Sequence, residues 1–155
     1  MGITVLQMKD CYESGEESRE SGVNTGRLIF NKLLIMGHYK DLLAFKKSYE
    51  LAMEIFQPSK IFPAEEKYSL TDQVRRSSRY VCTNIVEAYR RRRYKDYFIS
   101  KLNDSETENA ETQVWLDFAH DCKYITTEEH TNLTANNDEV GKLVWYMINN
   151  PDKFR

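Results

Sequence analysis

Apolar residues recur at three- and four-residue spacing over most of the chain beyond position 42, and this period predicts helices. The first such segment begins at Leu43, and Pro58 and Pro63 interrupt it. Because proline lacks a backbone N–H and disfavours helical geometry in the preceding residue, we expect the first helix to end near Gln57. Its apolar positions are Phe45, Tyr49, Ala52, Ile55 and Phe56.

A second helix is predicted after the connector 60–68, with Ser69 as its N-cap and Asp72 at its third position. Its inward positions fall within about 60° of one another on a helical wheel. Arg75, Arg79 and Arg90 fall on the opposite side. The inward stripe consists of Leu70, Val74, Ser77, Val81, Ile85 and Ala88.

A third helix is predicted from about Tyr94 to Cys122, with heptad spacing. The middle of its stripe is polar, which lowers stability locally but fixes the register of neighbouring helices. The stripe consists of Phe98, Leu102, Ser105, Asn109, Thr112, Leu116 and Ala119. Beside it runs a second apolar stripe, and a helix that is apolar on two sides has partners on two sides. We therefore predict an oligomer interface at Trp115, Phe118, Cys122 and, on the next helix, Trp145.

The fourth helix is predicted to begin at a capping box, in which Thr126 is the cap and Glu129 reaches back. It ends at Asn149, before Pro151, and its half from 132 to 137 is weakly patterned. Four helices with short connectors predict an all-α, antiparallel up-down-up-down bundle over residues 39–150, followed by a tail at 151–155. Residues 1–38 lack a sustained period and are interpreted as a poorly ordered leader with at most a short helix at 28–34, so an internal start at Met36 is a further hypothesis.

Composition limits the class of protein. The 155 residues correspond to one domain, and no apolar run approaches the roughly 18 residues of a membrane span. The three cysteines are odd in number and widely spaced, which suits reduced thiols in the cytoplasm better than a disulfide framework.

The net charge of −2 conceals an uneven distribution. Residues 37–93 hold twelve basic and seven acidic side chains, a sum of +5, whereas residues 96–155 hold five and twelve, a sum of −7. Such asymmetry can attract a polyanion or align copies of the chain. The alternative is neutralisation within one subunit, with basic and acidic helices side by side.

The sequence offers little for catalysis or metal binding. Asp117 with His120 is a single DxxH pair, whereas a di-metal bundle needs a full set from four helices. Cys82, between positively charged turns, is interpreted as a small buried residue rather than an activated thiol. We therefore expect no catalytic residue, no metal and no cofactor, and predict that the chain is not an enzyme.

Two pairs of polar residues lie near apolar faces of the long helices, Asn84 with Glu87 and Glu108 with Glu111. Paired carboxylates suit acid–base catalysis. Since no nucleophile accompanies them, we favour a buried hydrogen-bond network that selects helix register or subunit pairing.

Basic residues form the most distinctive cluster, with tyrosines 80, 89, 94 and 97 interleaved. Arginine binds phosphate in a bidentate manner, and tyrosine offers a stacking face to an unpaired base. Equally, arginines at a helix C-terminus complement the helix dipole. The predicted nucleic-acid-binding residues are Arg75, Arg76, Arg79, Arg90, Arg91, Arg92, Arg93 and Lys95.

An ordered set of short motifs resembles a known family over about residues 38–150. The motifs are Tyr39-Lys40-Asp41-Leu42, Phe62-Pro63 with Glu65-Glu66, Leu70-Thr71 with Gln73-Val74-Arg75-Arg76-Ser77-Ser78, Asn84-Ile85-Val86-Glu87-Ala88, Phe98-Ile99 with Lys101-Leu102, Glu111-Thr112 with Trp115-Leu116, and Tyr124-Ile125. Together they are similar to the four-helix-bundle proteins encoded in intervening sequences of 23S ribosomal RNA genes. The resemblance implies a homopentamer, and through related accessory proteins of retroelements it implies a nucleic-acid or reverse-transcriptase partner.

Two functions follow as hypotheses. The leading one is a non-enzymatic, oligomeric bundle that binds RNA or a ribonucleoprotein partner through the arginine-rich face. The alternative is a structural or protein-interaction module, whose basic face pairs with acidic helices of neighbouring subunits.

Overall fold

The structure of the chain is a computed structural model that describes residues 37–155. The chain divides into two units, Met1–Asp41 and Leu42–Arg155. The described part of the first unit contains a short 3-10 helix, Tyr39–Asp41. The helix predicted at 28–34 and the start proposed at Met36 lie outside the described residues.

The second unit is built from four α-helices, and the described residues contain no strand. Helix α1 contacts α2 and α4, and α3 likewise contacts α2 and α4. The helices are α1 (Leu43–Ser59), α2 (Leu70–Arg90), α3 (Lys95–Asp121) and α4 (Thr127–Asn149), and short 3-10 helices lie at Ala64–Glu66 and Pro151–Lys153.

The core consists of the stripes that the sequence predicts. All six inward positions of α2 and all seven of α3 are buried. They pack with apolar residues of α1 and α4, including Leu51, Ile55, Val140 and Val144. Burying these stripes against one another is what holds the four helices together, since the hydrophobic gain scales with the apolar area removed from water.

A buried layer of hydrogen bonds crosses the middle of the core. Asn109 Nδ2 donates to Asn137 Oδ1 at 2.7 Å, and Asn137 Nδ2 donates to the Asn109 carbonyl at 3.1 Å. On the other side of α3, Thr112 Oγ1 donates to Ser77 Oγ at 2.9 Å. Gly141 leaves room for this layer, because a Cβ there would lie 2.8 Å from Asn109 Oδ1.

The predicted hydrogen-bond network therefore exists, but its predicted members were wrong. Asn84, Glu108 and Glu111 are only partly buried, and Glu87 is exposed. Buried amides and hydroxyls form the network instead, because each finds a partner on a neighbouring helix and so avoids the cost of an unpaired polar group.

The helix ends agree with the predictions except at two points. The capping box is confirmed, since Glu129 N–H donates to Thr126 Oγ1 at 3.1 Å and Thr126 N–H donates to Glu129 Oε2 at 2.7 Å. Helix α1, however, continues two residues past Gln57 to Ser59 and carries Pro58 in its last turn. The helix ends directly after this proline, where Lys60 N–H donates to the Gln57 carbonyl at 3.3 Å and closes a tightened last turn.

The predicted cap of α2 is the second difference. The Ser69 side chain makes no capping hydrogen bond. Instead, the Glu66 carboxylate accepts from the Leu70 N–H at 3.3 Å and from the Ser69 hydroxyl. The bond from Ser69, followed by that from Leu70, lowers the pKa of Glu66. A carboxylate at this place also complements the positive end of the helix dipole.

We predict that Glu66→Gln destabilises the protein at neutral pH and that the difference from wild type disappears in acid. A lowered folded-state pKa contributes stability above the unfolded value of about 4.3, and this contribution is lost as pH falls through the folded pKa. Thermal melting between about pH 7 and pH 3 measures it. Equal melting of the two proteins at pH 7 contradicts the prediction, and Glu65→Gln, on the exposed neighbour, is the control.

Candidate functional site

The first basic group, called here the α2 start group, consists of Arg75, Arg76 and Arg79. The end of α1 holds part of it in place: Arg75 Nε donates to Ser59 Oγ at 2.7 Å. The guanidinium groups of Arg75 and Arg79 also lie over the Phe56 ring, 5.0 and 5.8 Å from its centroid. Arg75 is therefore fixed, which lowers the entropy cost of a contact with a ligand.

The second basic group, called here the turn group, consists of Arg90 to Arg93 and Lys95, between α2 and α3. Arg92 lies over the Tyr89 ring at 4.0 Å and donates to the Tyr89 carbonyl at 2.8 Å. Arg91 lies over the Tyr97 ring at 5.7 Å. The group surrounds the C-terminus of α2, where cations are favoured by the helix dipole.

Six arginines of the two groups have no carboxylate partner in the part of the chain that the structure describes. No ion pair there involves Arg75, Arg76, Arg79, Arg91, Arg92 or Arg93. The close pairs with carboxylates that exist use other side chains: Lys47 with Glu139, Lys101 with Glu87 and Asp104, Lys95 and Arg155 with Asp152, His120 with Asp121, and His130 with Asp117. Within residues 37–155, close ion pairs therefore do not neutralise these six arginines.

An acidic groove between α2 and α3 lies between the two groups along α2. Lys101 pairs with Glu87 at 3.0 Å and with Asp104 at 3.2 Å, and hydrogen bonds to these carboxylates raise the pKa of Lys101. Burial, followed by repulsion from Glu111, raises the pKa of Glu108, and Arg76 opposes that rise. The groove is lined by Tyr80, Thr83, Asn84, Glu87, Asp104, Thr107 and Glu108.

The eight predicted cations consequently do not form one continuous face. Arg76 and Arg91 are fifteen residues apart, or about 22 Å along the helix axis. This distance exceeds the Debye screening length of about 8 Å at physiological salt, so each group attracts a polyanion separately.

The interleaved tyrosines also differ from one another. Tyr80, Tyr94 and Tyr97 are exposed, whereas Tyr89 is buried beneath Arg92. The expectation that Tyr89 offers a stacking face was therefore wrong, because its ring is buried. The sequence interpretation also missed Tyr68, whose ring lies 5.0 Å from the Lys67 ammonium. The sequence feature that could have identified Tyr68 is Lys67, the cation next to it just before α2 begins.

The other candidates for chemistry lie elsewhere. Asp117 is bound by His130 Nε2 at 2.8 Å rather than by His120, and the two histidine rings stack at 4.6 Å. Within residues 37–155, no three potential metal ligands come together. Burial raises the pKa of the Cys82 thiol, which opposes activation as a nucleophile.

The predicted interface residues are largely solvent-accessible in the isolated subunit. Phe118 is 51% exposed and Trp145 58% exposed, and Cys122 is exposed as well. Trp115 is half-buried: it packs against the core, its ring lies 5.8 Å from the tilted ring of Phe118, and its Nε1 donates to Glu111 at 2.9 Å.

Comparison with known proteins gives a family match and a structural match. The sequence pattern of the 23S rRNA-intervening sequence protein family matches residues 40–145. A crystal structure of a protein of unknown function from the S23 ribosomal protein family of Bacteroides thetaiotaomicron is 30% identical, with a TM-score of 0.63. The match covers 69% of this chain and 96% of that one. No curated protein matches the chain. None of the described helices is long and apolar enough to cross a membrane.

Proposed function

The chain belongs to the 23S rRNA-intervening sequence protein family, and from that premise we propose that it binds RNA, free or within a ribonucleoprotein partner, without acting on it as an enzyme. Each subunit contributes two contacts, the α2 start group and the turn group. The family's association with ribosomal RNA genes supports RNA as the polyanion.

The observation that carries this proposal is the lack of carboxylate partners for six arginines of the two groups within the described residues. Guanidinium groups bind phosphate oxygens in bidentate geometry. Contact with the rings of Phe56, Tyr89 and Tyr97 uses only the flat face of a guanidinium group. Arg75 donates one N–H to Ser59 and Arg92 donates one to the Tyr89 carbonyl, and the other N–H groups are left for phosphate.

We further propose that the helices form an up-down-up-down bundle and that five subunits form a ring. Support for the topology comes from residue pairs whose numbers rise in one helix and fall in the next, such as Ser77 with Thr112 and Val81 with Ser105. Support for assembly comes from the exposed aromatic rings of Phe118 and Trp145. A ring multiplies a modest RNA contact by avidity.

We place the protein in the cytoplasm. Both described cysteines, Cys82 and Cys122, are free thiols, which suits a reducing compartment. This location also gives access to ribosomal RNA or to a nucleoprotein partner of the reverse-transcriptase type.

The test replaces Arg90 to Arg93 with glutamine in the full chain. RNA retention and sedimentation velocity are then measured on the same samples. We expect RNA binding to fall at least tenfold, on the order of several lost phosphate contacts. The sedimenting mass should stay near that of five 18.3 kDa subunits.

The alternative function predicts the opposite pair of results. If the turn group docks on acidic helices of a neighbouring subunit, the variant dissociates into smaller species. What the substitutions remove is then a contact between subunits and not a contact with RNA. Wild-type protein that sediments as an 18.3 kDa monomer at micromolar concentration contradicts the ring.

A further inference from the structure

A small groove lies over the first three turns of α2 and has a volume of about 360 Å³. Its walls contain four cations, Lys67 and the three arginines of the α2 start group, against one carboxylate, that of Asp72. The volume is at the small end of ligand pockets, which run from about 300 to 1,000 Å³. The groove therefore suits one anionic ligand of modest size rather than a length of duplex.

The groove contains a polar group that the protein itself leaves unsatisfied. Thr71 is 7% exposed, and its hydroxyl oxygen has no hydrogen-bond partner among the described residues. Leaving a buried hydroxyl unpaired costs free energy that most proteins avoid. Threonine in a helix occupies two χ1 wells, so the Thr71 hydroxyl can change direction without a change in the backbone.

Aromatic rings complete the groove. Tyr68 is 82% exposed, and Tyr80 is exposed nine residues beyond Thr71, about 14 Å along the helix. A base stacked on an exposed tyrosine strengthens binding by about fivefold to a hundredfold. Because a base within a duplex is already stacked and paired, only an unpaired nucleotide presents a free face to such a ring.

From these three features we infer that the groove binds one unpaired nucleotide of the RNA, and this inference rests on the proposed function. The base stacks on Tyr68, the phosphate is held by Arg76 and the fixed Arg75, and the Thr71 hydroxyl hydrogen-bonds to the sugar or phosphate. Arg76 is exposed and without an ion-pair partner in the described chain. Tyr80 borders the acidic groove as well, so the strand is repelled beyond that point.

If the groove binds an unpaired nucleotide, the protein should bind RNA that has unpaired nucleotides more tightly than fully paired RNA. Two probes with the same number of nucleotides and the same charge test this, a blunt duplex of two annealed strands and a shorter duplex with a single-stranded 3′ extension. We expect wild type to bind the extended probe about tenfold more tightly. Tyr68→Ala should remove this preference, because the base of an unpaired nucleotide then has no ring to stack on. The side chain is exposed, so the change leaves the fold intact.

Thr71→Val is the second variant, since valine has the shape of threonine without the hydroxyl. If the unpaired hydroxyl lowers the stability of the free protein and hydrogen-bonds to the ligand, the variant melts at the same or a higher temperature. It should nevertheless bind the extended probe several-fold more weakly. Thr83→Val, on an exposed hydroxyl of the same helix, is the matched control.

The outcomes separate the two proposals. If neither probe binds at low salt, the proposed function fails and the groove proposal fails with it. If both probes bind and Tyr68→Ala and Thr71→Val leave the preference at its wild-type value, RNA binding stands and the groove proposal is wrong. Equal binding of the two probes by wild type would likewise leave RNA binding in place and show that the groove proposal is wrong.

Discussion

Replacing Asn109 with leucine should lower the free energy of unfolding by about 2 kcal/mol, although the two side chains have similar shapes. The change removes the donor to Asn137 Oδ1 and leaves that buried amide oxygen unsatisfied, whereas Asn137 Nδ2 keeps its bond to the backbone carbonyl of residue 109. Urea denaturation measures the loss. Asn103→Leu, at an exposed position of the same helix, is the control and should stay within about 0.5 kcal/mol of wild type.

The double variant Asn109→Leu/Asn137→Leu is the decisive comparison. Replacing both partners with apolar groups of similar shape removes the unsatisfied amide, so the double variant should recover much of the loss. If the loss of stability in the double variant equals the sum of the losses in the two single variants, the two side chains act independently. That result would contradict the hydrogen bond between them.

Neutralising both basic groups should reduce RNA affinity about a hundredfold at low salt. Arg76→Gln/Arg79→Gln and Arg91→Gln/Arg93→Gln leave Arg75 and Arg92 in place, because those two side chains donate to Ser59 and Tyr89. Each pair should cost about tenfold. Since the groups lie about 20 Å apart, the two effects should multiply.

Filter binding or fluorescence anisotropy measures these affinities. Lys46→Gln/Lys142→Gln removes two exposed cations from other helices and is the matched control for net charge. A control that weakens binding as much as either arginine pair would show that overall charge, not the two groups, governs the interaction.

The core of α2 and α3 was predictable from sequence because their buried faces follow the helical period residue by residue. The polar members, such as Ser105 and Thr112, held their heptad positions and were correctly placed inside. Asn137 was not predictable in this way. Its segment has a weak period, and its burial depends on Asn109, 28 positions away on another helix.

The sequence identifies the cations of the two basic groups but not their arrangement in space. Closeness in sequence suggested one basic face, whereas the length of α2 separates the two groups and Asp104 and Glu108 of α3 line a groove between them. The groove at Thr71 depends on which surfaces the connector and α2 present in three dimensions. A linear sequence does not contain that information, nor the capping of α2 by Glu66 in place of Ser69.

The salt dependence of RNA binding by the full wild-type chain tests the central claim most directly. If about four phosphate contacts dominate, the logarithm of the affinity falls linearly with the logarithm of salt concentration, with a slope near −3 for a single strand. Affinity should then drop about fiftyfold between about 50 and 200 mM salt. Absence of binding at the lower concentration, or an affinity that does not change across the series, would contradict the account.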